Sequence, residues 1–218
     1  MTRILSLILC TCLLTACETT MSKDDCQRGD WYAAGYEDGI DNAGYGNLEA
    51  RAKACEKHGA SPDNARYAEG YDAGFDAYCS PKGGYDQGVK GRSIDRSDVC
   101  PIDRRPEFLA GYQAGRELHN LREAVSSARS RVDGYAHTLD YGPGQIRDKK
   151  REIEKIKDKD ISDERKKERI DKLYDEIEDI HDDIDRAHHN IRDAERDLGR
   201  AEVRLEEYER YLRNNPPY

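Results

Sequence analysis

After its first twenty residues this chain has no apolar run, and no later segment is apolar enough to cross a membrane as a helix. Large apolar side chains are scarce as well. Two phenylalanines, two methionines and one tryptophan stand against fourteen tyrosines and eighteen glycines in 218 residues. With 36% hydrophobic and 37% charged residues, the composition is too polar for one large globular core and fits long exposed helices. No long basic block offsets a net charge of -9, and lysine and arginine alternate with acidic residues, so solvated helix faces are expected and nucleic-acid binding is disfavoured. The G-x-S-x-G, H-E-x-x-H and phosphate-loop patterns are absent, so neither enzymatic activity nor a cofactor is expected. "DGIDNAGYGNLE" (Asp38 to Glu49) lacks acidic residues at the first, third and fifth positions of a calcium loop and reads as a turn between helices. His181, Asp185 and His188 share a helical face, but nothing else converges on them. They read as a solvated stripe, with no metal expected.

What is present begins with an address. "MTRILSLILCTCLLTAC" combines a basic Arg3, a short apolar run from Ile4 to Leu14, and Leu14-Thr15-Ala16-Cys17. The run suits a secretory signal and is too short for a permanent span. The ending resembles the bacterial lipobox, in which cleavage before the cysteine leaves it N-terminal and lipid-modified. The reading is a signal peptide over residues 1–16, lipid on Cys17 and a linker over 17–25. Glu18, in place of the aspartate associated with inner-membrane retention, points to the periplasmic face of an outer membrane.

Cys10 and Cys12 leave with the signal, and Cys26, Cys55, Cys79 and Cys100 remain. An even number of cysteines in an oxidising space is a disulfide framework. Four cysteines allow three connectivities, among which sequence alone does not choose. Cys26–Cys55 with Cys79–Cys100 is favoured because each bond then closes a short local loop. A four-cysteine zinc site is the rival, weakened by the lack of any C-x-x-C pair.

The segment 26–118 is written in glycine, tyrosine and cysteine. "GYEDG" (Gly35 to Gly39), "GYDAG" (Gly70 to Gly74), "GYDQG" (Gly84 to Gly88) and "GYQAG" (Gly111 to Gly115) repeat one pattern. In three of them an aromatic, a glycine, a tyrosine and a glycine fall at i, i+3, i+4 and i+7, one face of a helix. Two interior glycines cost a helix about 2 kcal/mol relative to alanine, so the pair is expected to form a notch where another backbone comes close, with tyrosine rings as core. The Gly84 copy follows "SPKGG" and is read differently, as a short helical turn inside the loop closed by Cys79 and Cys100. Asn47 is the expected cap of a helix that Gly59 stops. Ser61, followed by Pro62, is expected to cap the next. Trp31, at a helix start, is the aromatic expected to be most exposed.

Asp30-Trp31, Cys55, Tyr67-x-x-Gly-Tyr-x-x-Gly, Tyr78-Cys79-x-Pro81, Gly84-x-x-x-Gly88, Cys100-Pro101 and Phe108-x-x-x-Tyr112-x-x-Gly115-Arg116 fall in order along this segment. Together with the lipobox they resemble the domain-of-unknown-function 2799 family of proteobacterial lipoproteins, over roughly Cys26 to Leu118. The resemblance implies location and architecture and carries no activity.

From residue 119 the chain has no cysteine, few glycines and dense charge. Ile170, Leu173, Ile177, Ile180, Ile184, Ala187, Ile191, Ala194, Leu198, Ala201, Leu205, Tyr208 and Leu212 recur at steps of three and four, a coiled-coil seam. A shorter seam, Leu118 to Leu139, starts in the helix carrying "GYQAG", so head and stalk should share one helix. "YGPG" (Tyr141 to Gly144) is expected to break it and reverse the chain, with Ile146, Ile153 and Ile156 laid back against the first seam. A second break is expected near 158–162, capped by Asp160 or Ser162. The last helix then either folds back or pairs with a second molecule, and residues 214–218 are expected to be disordered. The fold class is all-α: a disulfide-stapled head with a coiled-coil or helical-hairpin tail over 119–213. The functional reading is a membrane-anchored scaffold or interaction protein meeting an envelope partner, or itself, through the stalk. The alternative is a peptidoglycan- or metal-binding module, with tyrosines stacking on sugar rings.

Overall fold

In a computed structural model, residues 21–41, 46–94 and 100–218 are described. The signal segment, Cys17 and the next three linker residues, 18–20, lie outside them. The described residues are all-helical: α1 (Lys23–Arg28), α2 (Trp31–Ile40), α3 (Gly46–Glu56), α4 (Asn64–Tyr78), α5 (Pro81–Val89), α6 (Arg105–Lys157) and α7 (Asp163–Asn214). Side chains start most of the short helices. Ser22 and Asp25 form a reciprocal capping box on α1, and Asp30, Asp63 and Ser80 accept from backbone N–H groups at the starts of α2, α4 and α5. The cap of α4 is thus Asp63, not Ser61, and Asn47 lies within α3, where its side chain binds Asp38 instead of capping.

The head is built twice from one device. α2 and α4 lie parallel. An added Cβ on Gly35 or Gly39 would fall on the carbonyl oxygen of Tyr67 or Tyr71, and one on Gly70 or Gly74 on that of Tyr32 or Tyr36. Each glycine meets the residue three positions before its counterpart on the other helix, which is a local twofold relation. α5 and α6 repeat it: Gly84 and Gly88 meet the carbonyls of Phe108 and Tyr112, and Gly111 and Gly115 those of Pro81 and Tyr85. The Gly84 copy is therefore no isolated turn. It forms a full helix using the same code, because Ser80 and Pro81 start it and α6 lies against its glycine face. Parallel neighbours need a return connection, and each disulfide crosses one. Cys26–Cys55 and Cys79–Cys100 each join segments just before the two helices of a pair, with Cα separations of 5.2 and 5.6 Å.

The stalk differs from the expected arrangement at one point. α6 runs without interruption through Tyr141 to Gly144, with Pro143 inside it, so no hairpin turn forms there. Val132 and Ile153 lie on the same helix, about 30 Å apart along it. Proline removes one N–H and its ring crowds the preceding turn, a cost of about 3 kcal/mol. Packing of α7 along α6 from Ala114 to Lys157 outweighs that local cost. Gly142 is buried against Ile184, where the two helices approach closely. The chain reverses at 158–162, the second expected break. Lys155 and Lys157 end α6, Asp163 and Glu164 begin α7, and Lys166 Nζ donates to the carbonyl of Lys157. Ser162 occupies the cap position without a side-chain bond.

α7 then folds back antiparallel along α6. Ile146, Ile153, Ile156, Leu173 and Ile177 form the core near the tip, and Ala128, Ala187 and Ala194 are buried farther down, where small side chains let the helices close. Lys149–Glu176, Arg129–Glu202 and Arg122–Glu209 pair across the seam in antiparallel register. Tyr208 Oη donates to the carbonyl of Ala114 at 3.0 Å, bringing the end of α7 to the head. The C-terminus, expected to be disordered, ends with the Tyr218 ring 5.5 Å from that of Tyr85. Cysteines replacing Arg129 and Glu202 should therefore be joined within one chain by a short bismaleimide, leaving a monomer on denaturing gels. Dimers as the main product would contradict the fold-back.

Candidate functional site

The most organised polar group in the head lies between α2, α3 and α4. Asp38 is 3% exposed and accepts four hydrogen bonds: from Arg51 Nε (2.9 Å) and Nη2 (2.8 Å), Tyr67 Oη (2.7 Å) and Asn47 Nδ2 (3.1 Å). Its place follows from the repeat, since it lies between Gly35 and Gly39, three residues after Gly35 on the face that meets α4. Burial alone would raise its pKa, but the donors Arg51, Tyr67 and Asn47 outweigh burial and hold the carboxyl below its ordinary value of 3.8. Burial, followed by the bond to Asp38, pushes the Tyr67 phenol well above its ordinary range. Arg51 is raised despite its burial, because Asp38 and Glu37 stabilise the cation.

This knot is a fully paired buried charge, and it ties three helices together. It offers no free nucleophile or base. A carboxyl with a lowered folded pKa stabilises the fold at pH above its unfolded value, and that stabilisation is lost as pH falls through the folded pKa. The thermal midpoint of the head should accordingly drop as pH is lowered below about 4, and Asp38→Asn should remove that part of the acid sensitivity. Equal acid sensitivity in the variant would show that Asp38 does not carry it. On the alkaline side, the Tyr67 contribution is complete below the ordinary tyrosine value of 10.0 and declines above it.

The second lobe repeats the geometry with weaker chemistry. Gln87 occupies the position of Asp38, three residues after Gly84, and accepts from Arg92 Nη1 at 3.2 Å. Phe108 stands where Tyr67 stands, so the hydroxyl bond has no counterpart. An aromatic ladder joins the lobes, with Tyr67, Tyr71, Phe75 and Tyr78 stacked along α4 and Tyr78 meeting Phe108 at 5.3 Å.

The tyrosines divide between core and surface. Tyr67, Tyr71 and Tyr78 are buried, while Tyr32 and Tyr36 are 36% exposed because only their carbonyls enter the notch. Trp31, expected to be the most exposed aromatic, is 2% exposed and packs with Met21, Cys26, Cys55 and Tyr67. His181, Asp185 and His188 are exposed along α7, and no group of three or more metal-ligating side chains occurs among the described residues. The sequence reading missed the Asp38 knot, having met Asp38 only as the first residue of a failed calcium loop. Its signal was an acidic residue on the glycine face of a buried helix. An open cleft of about 400 Å³ lies beside the knot, lined by Asp25, Arg28, Glu37 and Arg51. Its charged groups are largely engaged with one another, Arg28 with Asp25 and Arg51 with Asp38 and Glu37.

Two parallel helix pairs, each notched by glycine on both partners and each crossed by a disulfide, define a class of small all-helical head, here carrying a helical hairpin. The family described as protein of unknown function (DUF2799) matches residues 30–117, the head of this chain. The match begins at Asp30, the cap of α2, and ends two residues past Gly115, so it spans both lobes and none of the hairpin beyond. No curated protein and no solved structure matches the chain.

Proposed function

We propose that this is a lipid-anchored protein of a bacterial envelope that acts as a scaffold, its head held at a membrane by Cys17 and its hairpin presented to an envelope partner. The observation that supports this reading is the continuity of α6, which leaves the glycine notch of the second lobe and reaches the hairpin tip without a joint. At 1.5 Å per residue its 53 residues extend about 80 Å. A two-helix rod with a charged outer face, fixed rigidly to a crosslinked base, is suited to bridging. No described helix is long and apolar enough to cross a membrane, so the reading assigns attachment to the lipid.

Two measurements test it. Cys17→Ser should lose the lipid label and leave the membrane fraction once released. A photo-crosslinker at Tyr174, which is 54% exposed on α7, should capture one discrete envelope protein in living cells, while the same probe at Tyr32 in the head does not. Retention of the label by the serine variant would end the anchoring claim. Capture from the head only, or binding of the whole protein to purified cell-wall sacculi, would replace the scaffold with a wall-binding module.

A further inference from the structure

A second cleft, about 220 Å³, opens between the lobes where the C-terminal ends of α2 and α4 meet α5. It differs from the larger cleft because its polar groups are not used up. Tyr78 lines it and is 7% exposed, and its hydroxyl has no hydrogen-bond partner among the described residues. Gln87 also lines it and is 4% exposed. It spends its carbonyl on Arg92, and its side-chain amide N–H groups have no partner among the described residues. Neither atom is sealed from solvent. Both side chains are more than nine-tenths buried, so two donors without a protein partner at one small space form a built feature. At the rim, Lys82 is engaged by Asp86 at 2.7 Å, whereas Lys90 has no ion pair among the described residues. Tyr36 and Ile40 supply an apolar wall.

We propose that this cleft binds the carboxylate of a ligand group of amino-acid size, with the Tyr78 hydroxyl, the Gln87 amide and the Lys90 ammonium as its donors. The free groups all donate, so the complementary ligand atom accepts. One available cation with two neutral donors matches a monoanion better than a phosphate dianion, which draws on arginine forks or several backbone N–H groups. The volume is that of about seven waters, and the Tyr36 and Ile40 wall calls for an apolar body next to the charge. The inference rests on the head alone and is independent of the hairpin's partner.

Saturation-transfer NMR on the full-length, disulfide-intact protein in detergent micelles tests it, with N-acetylalanine, its methylamide and N-acetyl-Ala-Ala-Ala as probes. N-acetylalanine should receive saturation and titrate to a plateau, and the methylamide should not. Lys90→Gln should weaken binding about tenfold, the scale of a charge-assisted hydrogen bond. Tyr78→Phe, which keeps the ring, should weaken it about threefold. If that variant fails to fold, the exposed Lys90 position decides alone. A tripeptide that binds as well as N-acetylalanine identifies the C-terminal residue of a peptide as the ligand group, and an excluded tripeptide identifies a free small carboxylate. The proposal is overturned by absence of transfer to N-acetylalanine, by equal transfer to the methylamide, or by unchanged affinity in Lys90→Gln.

Discussion

Alanine at Gly35 or Gly111 will separate a helix pair, while alanine at Gly134 will raise stability. All three glycines are interior to helices, so intrinsic propensity favours alanine at each by about 1 kcal/mol. Around Gly134 nothing lies within 4 Å of an added Cβ, and the propensity gain should appear in full. At Gly35 the methyl would fall on the carbonyl of Tyr67 and lie 2.8 Å from the backbone nitrogen of Tyr71. At Gly111 it would fall on the carbonyl of Pro81. These obstacles are backbone atoms of a neighbouring helix, which cannot rotate away as a side chain can. Overpacking of ordinary cores costs about 1–3 kcal/mol, and backbone against backbone belongs at or beyond the upper end. Urea titration followed by circular dichroism and by near-ultraviolet tyrosine signals would read both directions. Stabilisation of Gly35→Ala comparable to that of Gly134→Ala would mean the helices are not packed this closely.

Reducing both disulfides should unfold the head and spare most of the hairpin. Cys26–Cys55 and Cys79–Cys100 close separations of 29 and 21 residues. The chain-entropy relation gives about 3.6 and 3.3 kcal/mol for loops of those lengths. Each lobe is small, and its core relies on a few tyrosines and the cystines themselves, so losses of that size approach the stability such a core supplies. The hairpin has its own apolar seam and no cysteine. The expected result is two separate transitions after reduction. The near-ultraviolet signal is lost first, and a large helical signal persists from α6 and α7. A single transition that removes all helicity would show that the hairpin depends on the head for its stability.

How much could be read beforehand depended on the range of the interaction. The seam from Ile170 to Leu212 was legible because helical periodicity is a property of neighbouring residues, and it appears as α7. The Gly-Tyr-x-x-Gly spacing announced a notch for the same reason, and the favoured cysteine pairing followed from short loops. The break expected at Tyr141 to Gly144 did not occur. Local rules assign Gly-Pro-Gly to a turn, but a partner helix packed along the whole length overrides them, and Gly142 serves that packing by admitting Ile184.

By itself, then, the sequence determined the helical class, the division into a crosslinked head and a charged stalk, and the glycine face of three of the four Gly-Tyr-x-x-Gly helices. All of these are set by residues within a turn or two of one another. Tertiary structure decided which glycine faces which backbone, that the fourth copy pairs with the third, that the chain reverses after Lys157, and that Asp38 meets Arg51 and Tyr67. Those outcomes depend on contacts between residues far apart in the chain. Their energies arise only when whole helices are brought together, so no local spacing encodes them.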